Sequence, residues 1–304
     1  MIVVAGEALV DLIVRADGSI AAIPGGGPYN AARAVGRLGV PVAWLGGLSS
    51  DRFGRTLEAG LVADGVSTSL VQRTDAPTTL ALAELDGTGA ASYRFYTQGT
   101  AAAELLPGPS AALPAGTRAV HAGTLGFVLE PMATTLEGLI ATLPEEVLLL
   151  VDPNCRPSIT RDADGYRARM TRILERADIV KASTEDLAFL VPGADPTSAA
   201  RWVASLGARA VVVTDGGEAV RVRVGDERTL VQVPTIEVVD TVGAGDTFGG
   251  AALAALVHAG VTRTTLDTAA IVRATRFGVR AAAFACTRAG ADPPTLDELG
   301  GWPA

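Results

Sequence analysis

Asp240-Thr241-Val242-Gly243-Ala244-Gly245-Asp246-Thr247-Phe248-Gly249-Gly250 follows a strand-like run and opens an alanine-rich helical stretch, Thr247 to His258. Glycines crowded where a helix begins leave its first backbone N–H groups free to meet a ligand, and the missing side chains permit close approach. The amides of Gly243, Ala244, Gly245 and Asp246 are therefore expected to form an anion hole at the positive end of that helix. The chain around this segment keeps a strand-then-helix rhythm. Apolar runs at Ile2 to Ala5, Val42 to Leu45, Ala119 to His121, Val147 to Val151, Ile179 to Lys181 and Ala210 to Thr214 read as strands buried on both faces. Between them, Tyr29 to Leu38, Gly54 to Ala63, Met132 to Thr142, Ala163 to Arg176 and Ser198 to Leu206 read as helices. That alternation predicts an α/β fold with a mostly parallel central sheet and helices on both faces, three layers in all.

Two places break the rhythm. Leu9 to Arg15 leads into Ala16-Asp17-Gly18, and Thr79 to Leu85 is joined to Ala91 to Tyr96 by Asp86-Gly87-Thr88-Gly89, the signature of a β-hairpin. Strands from about 9–22 and 67–98 are expected to form a small sheet protruding from the body as a lid over a site. No linker, repeat or low-complexity segment divides the chain, so residues 1–304 are read as one domain with the lid inserted in it.

The 304 residues carry 25 basic and 33 acidic side chains, a formal charge of −8, which argues against nucleic acid or an anionic membrane as partner. Lys181 is the only lysine, and no P-loop glycines precede it, so Walker-type chemistry is excluded, as is a protein-kinase site. His121 and His258 are too far apart for a His-Glu-x-x-His zinc site, and no Gly-x-Ser-x-Gly elbow occurs. Gly6-Glu7-Ala8 after the first strand does not supply a nicotinamide fingerprint. Cys155 and Cys286 lack a disulfide or redox spacing, which points to a reducing cytoplasm and to inert thiols. The N-terminus reads as no signal peptide. The longest uncharged run, Thr247 to Thr262, has 16 residues, too few to span a bilayer.

A carboxylate beside an anion hole repels phosphate unless it has a task there. Asp246 in the first helical turn suits a base that takes a proton from an attacking hydroxyl, although a helix-dipole role also fits the spacing. Asp240 to Phe248 resembles the C-terminal signature of the ribokinase-like, phosphofructokinase-B-type carbohydrate kinases. Pro24-Gly25-Gly26-Gly27-Pro28-Tyr29-Asn30-Ala31-Ala32-Arg33-Ala34-Val35-Gly36-Arg37-Leu38-Gly39 resembles their N-terminal one, and the likeness runs from Gly6 to about Pro293. The resemblance implies the Rossmann-like ribokinase fold with its β lid, and an ATP- and Mg2+-dependent sugar kinase. In such an enzyme Asp246 is the base, and Gly243, Ala244 and Gly245 hold the γ-phosphoryl group.

Carried over residue by residue, the resemblance places Asp11, Gly25, Gly26 and Asn30 against the sugar. Carboxylate and amide suit vicinal hydroxyls, and glycines let a flat ring lie on the backbone. Asp152-Pro153-Asn154-Cys155-Arg156-Pro157, at the end of a strong strand, is similar to a segment of the fructokinase and 2-keto-3-deoxygluconate kinase branch. It puts Asn154 near the nucleotide and Arg156 near substrate, although a surface turn would use the same residues. Lys181-Ala182-Ser183-Thr184-Glu185-Asp186 resembles the family's Asn-x-x-Glu segment, with Ser183 at the nucleotide and Asp186 supporting magnesium through water. Ser183 and Asp186 also have the spacing of a helix capping box. Thr214 and Gly216 are implied beside the ATP phosphates and ribose, and Val279 in the adenine pocket. The backbone near Asp240 and Val242, with the loop up to Pro294, matches a monovalent-cation site of some members. Pro294 stands where serine is common, which argues against potassium dependence.

Within the family, Tyr93 to Ala101 looks most like fructokinase. Phe95 and Thr97 replace a Tyr and an Arg that help hold the carboxylate of 2-keto-3-deoxygluconate, which favours a neutral sugar. The alternatives are a kinase of 2-keto-3-deoxygluconate, ribose or a nucleoside, and a non-catalytic sugar sensor on the same scaffold, against which the intact Asp246 speaks. Open edges on a lid sheet also predict a homodimer through the lid.

Overall fold

The computed structural model describes residues 1–15, 17–85, 91–108 and 113–303. Its strands are β1 (Ile2–Ala5), β2 (Leu9–Val14), β3 (Ile20–Gly25), β4 (Val42–Ser49), β5 (Val66–Thr74), β6 (Leu80–Leu85), β7 (Ala91–Tyr96), β8 (Ala119–Gly123), β9 (Leu148–Asp152), β10 (Ile179–Ser183), β11 (Ala210–Thr214), β12 (Val220–Val224) and β13 (Glu227–Val231). Its helices are α1 (Gly27–Arg37), α2 (Arg52–Ala63), α3 (Met132–Ala141), α4 (Ala163–Arg176), α5 (Thr184–Leu190), α6 (Pro196–Leu206), α7 (Ala244–His258) and α8 (Thr268–Ala285).

Nine strands form the main sheet in the order β13-β12-β11-β10-β9-β8-β1-β4-β5. Strands β11 through β5 in that order run parallel, and β12 and β13 add an antiparallel hairpin at one edge. Because side chains alternate across a pleated strand, each central strand feeds two cores. Ile2, Val4, Leu148, Leu150 and Val212 join the core under α1, α7 and α8. Val3, Ala5, Leu149, Val151, Val211 and Val213 join the core under α3, α4 and α6. This is the mixed α/β, three-layer architecture expected from the apolar runs.

The second sheet has four strands in the order β3-β2-β6-β7. The small sheet is the expected lid, with one correction to its limits. The segment from residue 67 does not enter it; β5 lies parallel to β4 at the edge of the main sheet, and the chain reaches the lid only at Leu80. The cause is α2, whose buried Leu57 and Leu61 pack on the body and return the chain beside β4, as a right-handed crossover does. The turn Asp86-Gly87-Thr88-Gly89 and Ala16 lie outside the described residues, while the β6–β7 pairing on either side is antiparallel.

Helix α7 is buried over most of its length, and its small residues make that possible. A methyl group at Gly250 would lie 2.6 Å from the Ala31 carbonyl oxygen of α1, so the two backbones touch only because glycine stands there. Held this tightly, α7 delivers its N-terminus to the C-terminal edge of the parallel sheet, where open α/β folds bind ligands.

Candidate active site

A cavity of about 490 Å³ opens between the C-terminal edge of the main sheet and the inner face of the lid. From the body, Glu7, Asn30, Asn154, Arg156, Lys181, Gly243, Gly245 and Asp246 reach its wall. From the lid come Leu9, Asp11, Ile23 and Phe95, and strand register explains that set. Ile23, Asp11, Ala81 and Phe95 are cross-strand neighbours in one row, so they share the face turned to the cavity.

Gly243 is the N-cap of α7 with φ 74°, a left-handed conformation that glycine adopts without strain, and its carbonyl accepts the Thr247 N–H at 2.8 Å. A methyl group there would also lie 2.6 Å from the Ala291 side chain, so the nest is packed from behind by the C-terminal loop. Asp240 fixes the approach to the nest: its carboxylate accepts from Val242 N–H at 3.0 Å and Gly290 N–H at 2.8 Å. Both oxygens being engaged in the loop, Asp240 and Val242 serve its geometry directly.

Asn30 Nδ2 donates to Asp246 Oδ2 at 2.9 Å, which orients the carboxylate. Burial raises the Asp246 pKa above the ordinary carboxylate range against the opposing effects of Asn30, Lys181 and Arg156. The other oxygen, Oδ1, faces the gap left by Gly27, where a methyl group would come within 3.2 Å of it. Asp11 is pushed up to about 6 by burial and then by the Asp246 charge. Gly25 permits Asp11 to sit against the backbone, since a methyl group there would lie 2.2 Å from its Oδ2. Gly26, with φ 111°, passes so close to the Glu7 carbonyl that a side chain would not fit.

Arg156 donates to Asn154 Oδ1 at 2.6 Å, and Asn154 Nδ2 donates to Thr124 Oγ1 at 3.2 Å. Asn154 therefore stands in the sugar-sized cavity with Arg156. Asp186 behaves differently from the cavity carboxylates. It is buried, closes the capping box of α5 with Ser183, and accepts the Cys155 N–H at 2.6 Å. Ser183 and Thr214 are register partners at the ends of β10 and β11, with Gly216 just beyond at φ 55°. Val279 is buried in the core. The structure thus brings together Asp11, Gly26, Asn30, Phe95, Asn154, Arg156, Asp240, Val242, Gly243, Gly245 and Asp246 at one cavity, and leaves Gly25, Ser183, Asp186, Thr214, Gly216, Ala244 and Val279 off its wall. Of the amides expected in the anion hole, that of Ala244 donates instead to the Thr241 carbonyl at 3.2 Å.

Among the residues outside the expected set, three hold the site together through hydrogen bonds and charge. Glu7, fully buried, accepts the N–H groups of Gly27 at 3.0 Å and Gly126 at 3.2 Å and so ties two walls together. Burial pushes its pKa up to about 8. Thr124 is the second, through Asn154. The third is Lys181, 5% exposed, whose Nζ donates to Asp152 Oδ2 at 2.8 Å. Burial works against its charge, but Asp152 and the neighbouring carboxylates prevail and its pKa is raised. His121 beneath it is held neutral, down to about 3, by burial and by the Lys181 charge. The sole lysine thus lies on the cavity wall beside the nest.

Comparison with known proteins gives concordant findings. The model of the pfkB family carbohydrate kinases matches residues 1–298. A fructokinase of Rhizobium leguminosarum bv. trifolii is 36% identical over 84% of this chain and 79% of its own. Among solved structures, fructokinase with bound ATP from Xylella fastidiosa superposes with a TM-score of 0.89 at 29% identity, covering 98% of this chain and 96% of its own. Fructokinase from Vibrio cholerae O395 in its fructose-, ADP- and calcium-bound form gives 0.87 at 25% identity, over 98% and 97%.

Proposed function

Because this chain belongs to the pfkB family of carbohydrate kinases, we propose that it is an ATP-dependent sugar kinase acting on fructose. One observation carries the mechanism: Asp246, oriented by Asn30, stands in the first turn of α7 beside the amide nest that opens the helix. The sugar lies between body and lid, its hydroxyls meeting Asp11 and Asn30. A carboxylate with a raised pKa is a stronger base, so Asp246 takes the hydroxymethyl proton as the oxygen attacks the γ-phosphorus. The bond from phosphorus to the bridging oxygen breaks, its electron pair leaves with ADP, and the nest amides stabilise the charge on the moving group.

Magnesium is the proposed metal, and its chemistry would be neutralisation of phosphate charge. Asp186, expected to support it through water, has its oxygens taken by Cys155 N–H and Ser183, whereas Asp152 fits it, since its Oδ1 is buried without a hydrogen-bond partner among the described residues. Magnesium is held by one or two carboxylates plus phosphates, so an all-protein cage is not needed. The pair of unbridged cysteines supports a cytoplasmic setting. Two copies of the chain are proposed to pair through the lid, whose edge strands expose Ile20 and Tyr96. A solution mass of two chains by light scattering supports the pairing, and a one-chain mass refutes it.

Phe95 on the lid wall and the absence of a second cation beside it at position 97 favour a neutral ketose over an acid sugar. The test is a coupled ADP-release assay across fructose, ribose, 2-keto-3-deoxygluconate, adenosine and inosine. The highest kcat/KM is expected with fructose. Turnover confined to the acid sugar or to nucleosides would overturn the assignment, and none with any of them would favour a sugar sensor.

A further inference from the structure

Lys181 is the one lysine among 304 residues, and it is spent in the interior, where a lysine is costly to bury. Its ammonium points at the start of α7: a methyl group on Gly245 would lie 2.9 Å from Nζ. Gly245 is thus bare on two accounts, to expose its amide and to let a cation come up beneath it. The pairing with Asp152 uses only one carboxylate oxygen, Oδ2, and leaves Oδ1 buried and, among the described residues, unpartnered. An ammonium has three N–H donors, and among the described residues this one has a single hydrogen-bond acceptor, at Asp152. The structure therefore holds a desolvated cation with spare donors at the floor of an amide nest.

We propose that Lys181 is a phosphate-contacting catalytic residue, donating to a non-bridging oxygen of the phosphoryl group in transfer while Asp152 keeps it aimed. The inference rests on the kinase reading above and assigns the nest a full charge in addition to its dipole. Asp246 receives the proton and the nest receives the phosphoryl group, and the cation draws the anionic phosphoryl group into the nest without taking the proton itself. Arginine would not substitute: the compact ammonium already stands so close to Gly245 that a methyl group there would lie 2.9 Å from it, and a planar guanidinium fork is broader.

The test is a comparison of Lys181→Met/Asp152→Asn with Asp152→Asn alone, the second change removing the buried charge that Lys181→Met would strand. Calorimetry would measure binding of AMP and of the β,γ-imido analogue of ATP, alongside kcat. Loss of Lys181 is expected to weaken the analogue about 10- to 100-fold, the worth of a charge-assisted hydrogen bond, and to leave AMP unchanged. The turnover number is expected to fall about 100-fold or more. An equal loss for AMP and the analogue would mark a structural role, and no loss for either would mark none; both overturn the proposal. If the wild-type chain phosphorylates none of the sugars, the kinase reading fails, and the split between analogue and AMP still decides the contact.

Discussion

Asp246→Asn is expected to lower kcat about 10³- to 10⁴-fold while the sugar affinity stays within a few fold of wild type. The substitution is isosteric, and an amide oxygen at that position still accepts the Asn30 Nδ2 hydrogen bond that now measures 2.9 Å. What disappears is the basic lone pair, and a positioned base contributes about 10²–10⁴ in rate. The upper part of that range applies because burial raises the Asp246 pKa and strengthens it as a base. The same fact fixes the pH dependence. Asp246 and Asp11 are acids with raised pKa values, Asp11 at about 6, and both work as carboxylates. Activity is therefore present above that pH and lost as pH falls through it, kcat/KM dropping about tenfold per unit once a group is mostly protonated. Steady-state kinetics with calorimetric sugar binding checks both statements, and unchanged turnover in the Asn variant would remove Asp246 from the chemistry.

How much of this was readable in advance depends on which physics wrote it. Strands buried on both faces appear as uninterrupted apolar runs, and each of the six so read is present, from Ile2–Ala5 to Ala210–Thr214. The hairpin β12–β13 passed unread because Val220-Arg221-Val222-Arg223-Val224 alternates in period two, the mark of a strand with one wet face. β5 was expected in the lid with the rest of 67–98, and its alternating polar pattern is one that a lid strand would also show. It sits at the sheet edge, where that pattern belongs equally.

The site divides along the same line. Asp11, Asn30, Arg156 and Asp246 carry motif identity and reach one cavity. Lys181 carries none, since its meaning lies in strand register. Ile179 is paired with Leu150 and Val180 with Val151, so the next step sets Lys181 beside Asp152. A linear sequence contains the two segments but not their alignment. The single lysine did exclude a P-loop. It also meant that any ammonium serving phosphate had to be this one.

Gly27→Ala is expected to separate activity from stability more cleanly than any change to a charged residue here. Gly27 is the first residue of α1, and its φ lies outside the left-handed range that penalises alanine. Exchanging glycine for alanine at such a position costs the helix nothing and stabilises it by up to about 1 kcal/mol through backbone entropy. The added methyl group points into the cavity. It would stand 2.4 Å from Thr124 Oγ1, 3.2 Å from Asp246 Oδ1 and 3.4 Å from Asn154 Nδ2. Thr124 and Asn154 are hydrogen-bonded to each other, so the hydroxyl must turn away from the methyl group and release the amide to the open cavity, where water replaces it. The methyl group occupies the approach to the very oxygen that must take the proton. Displacement of reacting groups by about 1 Å costs roughly 100-fold, and blocking the base adds to that. We expect kcat/KM to fall about 10²- to 10³-fold and the thermal midpoint to hold or rise slightly. A variant that melts earlier would show that the cavity wall, not the catalytic geometry, had absorbed the methyl group. One that keeps full activity would show that the space in front of Asp246 Oδ1 is not where the hydroxyl enters.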